Sequence, residues 1–243
     1  MTSHLHALSF DANDPEGLAR FWAGLLDRET TEDPYGGIAL APDGETALRL
    51  RFSPSQEKKT VPNQMHFDLT SASPDDQRRV VERALELGGR HIDIGQLPEE
   101  KHVVLADPEG NEFCVIEAGN GFLAGCGFIG ALASDGSQEV GYFWSRALDW
   151  PLVWDQDEET AIQSPRGGTK ITWGGPPLAP KAGKYRLHFD LVPADDSDQR
   201  SEIDRLVSLG ATPVDIGQGE VDWAVLIDPD GHEFCVLPPI PLP

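Results

Sequence analysis

Two histidines in repeated strand-like runs of this chain each stand two places before an aspartate. They are His66 and Asp68 in Met65-His66-Phe67-Asp68-Leu69, and His188 and Asp190 in Leu187-His188-Phe189-Asp190-Leu191. Two glutamates each stand two places before a cysteine: Glu112 and Cys114 in Glu112-Phe113-Cys114-Val115, and Glu233 and Cys235 in Glu233-Phe234-Cys235-Val236. In an alternating run, a spacing of two puts both side chains on one face of a strand. Phe67, Leu69, Phe113 and Val115 need the covered face, so His66, Asp68, Glu112 and Cys114 are expected on the opposite one, as are His188, Asp190, Glu233 and Cys235. An imidazole oriented by a carboxylate can move a proton. An imidazole and a thiol can share a zinc-type ion, and a thiol beside an imidazole can act as a nucleophile. Plainer roles compete with these. A histidine can bond across strands, an aspartate can orient it or cap a backbone N–H, and a cysteine is often a small buried hydrophobe.

These residues belong to a repeat. The second set follows the first at 188 against 66, 215 against 93 and 228 against 107, offsets of 122, 122 and 121. Asp93-Ile94-Gly95-Gln96 returns as Asp215-Ile216-Gly217-Gln218, and Asp107-Pro108-Glu109-Gly110 as Asp228-Pro229-Asp230-Gly231. Phe21-Trp22 and Leu26-Asp27 return more weakly as Phe143-Trp144 and Leu148-Asp149. The chain therefore holds two copies of one unit, at 1–118 and 122–243, joined by the turn-rich Glu117–Gly121.

Each copy reads as strand, helix and several strands, twice over. His4–Phe10 is strand-like, and Pro15–Leu26 is helical, with Asp14 as N-cap and proline at the first position. Strands are expected over 36–41 and 46–52. Ser73-Pro74-Asp75-Asp76 opens a second helix, which Gly88-Gly89 ends. Strands follow near 90–94, 102–106 and 112–116, and the second copy carries a helix near 197–209 ended by Gly210. The fold class is α+β, built from four βαβββ modules.

An apolar share of 39% supports globular domains rather than disorder, and 243 residues allow two of ordinary size. A net charge of −22 disfavours a nucleic-acid partner and an anionic membrane surface. The N-terminal residues lack a basic stretch followed by an apolar one, and the three cysteines make no disulfide framework, so a reduced cytoplasm is expected. Trp173 and Trp223 fall on strand-like segments of the second copy, where they would line an apolar pocket or pack in the core.

The βαβββ tandem, the His-Phe-Asp-Leu strand and the Asp-Pro-(Asp/Glu)-Gly turn before Glu-Phe-Cys-Val resemble the vicinal oxygen chelate superfamily. That superfamily includes glyoxalase I, extradiol dioxygenases, and bleomycin and fosfomycin resistance proteins; the glyoxalase-like domain branch is the nearest. The resemblance implies paired modules whose curved sheets enclose cavities. Metal-dependent members take ligands from particular strands. Position by position, these fall at His6 (with His4 on the same face), within Leu48-Arg49-Leu50-Arg51, at His66 and at Cys114. In the second copy they fall near Gly127 or Phe128, near Lys170 or Thr172, and at His188 and Cys235. Arg49 and Arg51 would repel a divalent ion, and the cysteines replace a hard carboxylate.

The expectation is thus a small-molecule-binding protein without a complete metal site and without a resident cofactor. Arg49, Arg51, Glu112, Cys114, Trp173, Trp223, Glu233 and Cys235 would bind the ligand. The alternatives are a lyase, isomerase or dioxygenase-like enzyme holding zinc or iron at His6, His66 and Cys114, or a cofactorless enzyme working through His66 and Asp68 or His188 and Asp190. A resistance-type role by sequestration belongs to the first reading. The partner is a small molecule, and the chain acts as a monomer or homodimer.

Overall fold

The computed structural model describes residues 3–239, except 43, 45, 46, 98 and 182. The first module runs β1 (His4–Ala12), α1 (Pro15–Leu26), β2 (Thr30–Glu32), β3 (Ile38–Leu40) and β4 (Leu50–Pro54). The second runs β5 (Met65–Leu69), α2 (Pro74–Glu86), β6 (Arg90–His91), β7 (Val103–Ala106) and β8 (Glu112–Val115). The third runs β9 (Ile129–Ser134), α3 (Gln138–Leu148), β10 (Leu152–Gln156), β11 (Glu159–Gln163) and β12 (Lys170–Trp173). The fourth runs β13 (Leu187–Val192), α4 (Gln199–Leu209), β14 (Thr212–Pro213), β15 (Ala224–Ile227) and β16 (Glu233–Val236). The strand expected over 46–52 begins at Leu50, and residue 46 lies outside the described residues.

Local chemistry accounts for the helix ends. The Asp14 carboxylate accepts from Gly17 N at 3.0 Å, and Ser73 Oγ from Asp76 N at 3.1 Å, each just before a proline at the first helical position. The repeated Leu-Asp pair is a helix stop. Asp27 (φ 53°) and Asp149 (φ 55°) take the left-handed conformation that aspartate tolerates, and each N–H bonds back into its helix.

The strands form two eight-stranded mixed sheets. Sheet one runs β2-β3-β4-β1-β13-β16-β15-β14, and sheet two runs β6-β7-β8-β5-β9-β12-β11-β10. Sheet one therefore joins the first and fourth modules, and sheet two the second and third. The sequence repeat divides near 118–122, and each sheet crosses that division at an antiparallel central pair: β1 with β13, and β5 with β9.

The helix-covered faces of both sheets share one core. Phe10, Trp22, Phe52, Phe67 and Phe113 meet there with Phe143, Trp144, Phe189 and Phe234. The longest repeated run serves this core. Asp107 is fully buried and accepts from Glu109 N and Asn111 N at 2.9 Å, from Asn111 Nδ2 at 2.8 Å and from Trp22 Nε1 at 3.1 Å. Asp228 repeats the arrangement with Trp144 Nε1 at 3.1 Å. The Asp-Pro turn thus bolts the last strand of a module to the tryptophan of the helix in the preceding module.

Candidate functional site

Register brings His188, Asp190 and Cys235 together on the face of sheet one turned away from the core. Asp190 lies beside Cys235 in the parallel β13–β16 pair, and His188 is two residues back on the same face. One ligand-type atom from each of the three lies within 4.8 Å of the others, and His188 Nε2 stands 3.5 Å from Asp190 Oδ1. The first module supplies the charge. Arg51 on β4 donates through Nη1 to Asp190 Oδ2 at 2.9 Å, and the Ser9 hydroxyl on β1 donates to the same oxygen. Burial works against the Asp190 carboxylate, yet His188, Arg51 and Ser9 outweigh it and hold its pKa at about 2. Burial likewise pulls the His188 imidazolium down, but the Cys235 sulfur and the Asp190 carboxylate hold its pKa well above the ordinary histidine value.

Arg51 is itself held in place. It donates to Tyr35 O at 2.9 Å and to Gly36 O at 3.2 Å, and lies 3.4 Å from Asp33. Gly37, at φ +87°, lets this turn lie against β4, since a Cβ there would meet Phe52 O at 2.7 Å. Asp33 also takes Arg49 Nε at 3.1 Å and His6 Nε2 at 3.3 Å. The result is a cavity of about 380 Å³ walled by Tyr35, Arg51, His188, Trp223, Val225 and Cys235, with Glu233 and the Lys184–Asp11 ion pair at its margin. His188 Nδ1 and Glu233 Oε2 on this cavity, and Asp190 Oδ1 beneath it, are buried without a hydrogen-bond partner among the described residues.

Sheet two repeats the residue types without the charge. His66, Asp68 and Cys114 also place their ligand-type atoms within 4.8 Å of one another, and His66 Nε2 is 3.6 Å from Asp68 Oδ1. The residue facing His66 across the sheet, where Ser9 faces His188, is Ala133, and its neighbour on the outer strand, where Arg51 stands, is Thr172. No guanidinium reaches Asp68 among the described residues. Burial raises the Asp68 carboxyl above the usual range, and burial plus Asp68 push the Cys114 thiol up to about 12. The connector between the copies also covers this face. Leu123 packs with Val104, Cys114, Ile116 and Ala131, and a Cβ on Gly130 would stand 3.0 Å from its Cδ1. Gly127 O accepts from Thr70 Oγ1 at 3.1 Å, and Lys170 Nζ lies 4.3 Å from the centre of the Phe122 ring.

The profile of the glyoxalase-like domain family matches residues 7–116 and 131–237. The chain belongs to the glyoxalase-like domain family. It carries the fold of the vicinal oxygen chelate superfamily. Glyoxalase I from Zea mays superposes with a TM-score of 0.64 at 14% identity, over 97% of this chain and 92% of that one. A structure described as a putative dioxygenase from Bacillus subtilis superposes with a TM-score of 0.63 at 14% identity, over 99% of this chain and 86% of that one. At such identities the likeness is one of fold. No curated protein matches the sequence.

Within this glyoxalase-like scaffold several expected groupings change. His6, His66 and Cys114 do not meet. His6 lies on β1 of sheet one against Asp33 and Tyr35, whereas His66 and Cys114 lie on sheet two, because the modules pair across the repeat. Trp173 is in the shared core at 2% exposure, and only Trp223 reaches the cavity. Glu112 is a strut, taking Lys59 Nζ at 2.6 Å and Asn63 N at 3.2 Å. Glu233 takes Lys181 Nζ at 2.5 Å through one oxygen, and its other oxygen lacks a partner among the described residues. Arg49 supports Asp33 rather than Asp190. Ser9, Asp33 and Tyr35 escaped the sequence reading. Only Ser9 left a signal, as the one polar side chain between Leu8 and Phe10 on the first strand.

The two clusters differ as metal sites. On sheet one, His188, Asp190 and Cys235 offer the same donor types, but the Arg51 guanidinium bonded to Asp190 Oδ2 repels a divalent ion. On sheet two, one imidazole, one carboxylate and one thiol suit a zinc-type ion with an open position, once the Cys114 proton is lost.

Proposed function

We propose that this protein binds an uncharged, largely aromatic small molecule in the sheet-one cavity, without a metal. One observation carries the reading: His188 Nδ1 and Glu233 Oε2, both buried on the wall of one cavity, have no partner among the described residues. A buried polar group without a partner costs about 1–3 kcal/mol, which a ligand offering one acceptor and one donor would recover. The volume of about 380 Å³ lies within the usual range for small-molecule pockets. Tyr35 and Trp223 offer ring faces, and Val225 and Leu237 add apolar wall. Most of the wall's formal charges are already matched, Arg51 with Asp190, Lys184 with Asp11 and Lys181 with Glu233, and His188 lies beside Asp190. Within the same cavity His188, oriented by Asp190, is placed to move a proton, which is how a cofactorless enzyme would use it.

A second reading rests on sheet two. The donors of His66, Asp68 and Cys114 suit a zinc-type ion, which would supply Lewis acidity or a bound water to a lyase, isomerase or dioxygenase-like reaction. Ligand-observed NMR with a set of neutral aromatic fragments separates the two. Hits that bind the wild type and are lost in both Trp223→Ala and His188→Ala support the sheet-one reading. Hits that survive both changes would contradict it.

A further inference from the structure

The two sheets carry the same triad of residue types in the same register, and only the sheet-one triad is held by an arginine beside a cavity. On sheet one, Cys235, His188 and Asp190 place ligand-type atoms within 4.8 Å of one another, and Cys235 and His188 line a cavity. His188 has a buried ring nitrogen without a partner among the described residues. On sheet two, the twin Cys114 sits under Leu123 beside an unneutralised carboxyl. The difference is made by two residues of the first module, Arg51 and Ser9, for which sheet two has Thr172 and Ala133. With Asp190 held as a carboxylate by Arg51 and Ser9, His188 has an anionic neighbour that favours its imidazolium. A thiol–imidazole–carboxylate set of this kind is the usual way a cysteine is made nucleophilic.

We propose that Cys235 is a nucleophile that captures soft, uncharged electrophiles of the α,β-unsaturated carbonyl class in the sheet-one cavity. The inference rests on that cavity being the ligand site and adds a covalent step to it. The thiol proton rests on His188, which leaves a thiolate beside an imidazolium. The sulfur then bonds to the β-carbon of the electrophile, and the π pair of the carbon–carbon double bond shifts toward the α-carbon and its carbonyl. The imidazolium returns the proton to the α-carbon. The sum is addition of S–H across the double bond, with nothing oxidised or reduced and no further reactant. The surrounding charges suit the step. Arg51 from β4 and His188 from β13 are cationic, Asp190 is matched by Arg51, Glu233 by Lys181 and Asp11 by Lys184. The apolar wall of Trp223, Val225 and Leu237 favours an uncharged, unsaturated molecule.

The molecule carries its own controls in Cys114 and Cys126. Cys126 is half-buried, with Sγ 3.7 Å from Gln163 Nε2. The full chain is incubated near neutral pH with cyclohexenone, and adducts are located by peptide mass mapping over time. Cys235 should react at least about tenfold faster than either other cysteine, and His188→Gln should slow it by about tenfold or more, since an unactivated thiol is only a few per cent thiolate at pH 7. Reaction at Cys235 no faster than at Cys126, or a rate unmoved by His188→Gln, would overturn the proposal. If His188→Gln does not fold, the ultraviolet thiolate absorbance decides in its place. It should be present in the wild type and lost in Cys235→Ser, and its absence from the wild type would overturn the proposal. Fragment binding to Cys235→Ser keeps the two readings apart. Retained binding with an unreactive Cys235 refutes the nucleophile alone, and a wild type that binds no fragment refutes the cavity reading itself.

Discussion

Replacing Arg51 by threonine would give sheet one the residue that sheet two has at the same register. Arg51 is 7% exposed and Asp190 0% exposed, so solvent screens their ion pair little. Asp190 is held at about 2 against an ordinary 3.8. At 1.36 kcal/mol per pH unit this corresponds to roughly 2 kcal/mol of native-state stabilisation, shared by His188, Arg51 and Ser9. Removing one partner of a buried pair costs more than its share, because the remaining charge stays buried; about 3–5 kcal/mol is usual. The lost bonds to Tyr35 O and Gly36 O add to this. Arg51→Thr should therefore destabilise the chain by about 3–5 kcal/mol, measured as a lower urea midpoint, or by roughly 6–20 °C in Tm at this size. Adding Asp190→Asn removes the stranded charge and should restore at least about a third of the loss. A loss below about 1 kcal/mol, or a double variant no more stable than the single one, would refute the account of Asp190 as a carboxylate held by Arg51.

Other outcomes follow from the same contacts. Asp107 is raised to about 6 in the folded chain, so its contribution is full below about 3.8 and is lost as pH rises through 6. Asp190 is lowered to about 2, so its contribution is full above about 3.8 and is lost as pH falls toward 2. His188 is raised, so its contribution is full below about 6.5 and fades as pH climbs past its folded value. Urea midpoints should therefore peak between about pH 4 and 6; a maximum at pH 8 would contradict these assignments. Trp22→Phe removes one of the two donors on Asp107 Oδ2, leaving Asn111 Nδ2, and should cost about 1–3 kcal/mol beyond the volume change, measured against Phe21→Leu in the same denaturation assay. Leu123→Ala uncovers Cys114 and should raise its rate of alkylation while leaving that of Cys235 unchanged. In calorimetric zinc titrations, Cys114→Ser should weaken any binding and Cys235→Ser should not.

The elements were legible because their signals are local. Capping residues before Pro15 and Pro74, period-two strands such as Met65–Leu69 and the Asp-Pro turns each act within a few residues. Trp173 could also have been placed correctly. It shares parity with Ile171, and both enter the core, whereas Trp223 shares parity with Val225 on the cavity side. Module pairing was not legible, because nothing in His4–Ala12 states whether its neighbour is Met65–Leu69 or Leu187–Val192. Both strands present the same His-Phe-Asp pattern. That one choice separates His6 from His66 and brings Arg51 to Asp190. The arginine read from sequence as a group that repels metal is, in place, the group that sets the charge of the site. Tyr35 and Asp33 sit in a turn whose counterpart in the second copy, around Asp155, serves exposed contacts to Gln138 and Tyr142, so the repeat drew no attention to them. The most strongly repeated run, from Asp107 to Val115, turned out to hold the core together through Trp22.

The claim that modules one and four together build the ligand site is tested most directly by following assigned NMR signals during titration with a neutral aromatic fragment that binds the wild type. The His188 ring protons, the Trp223 indole N–H and the Tyr35 ring should shift together along one saturating curve, while the His66 ring protons stay still. Movement of His66 with His188 and Trp223 unmoved would place the site on sheet two and contradict the account.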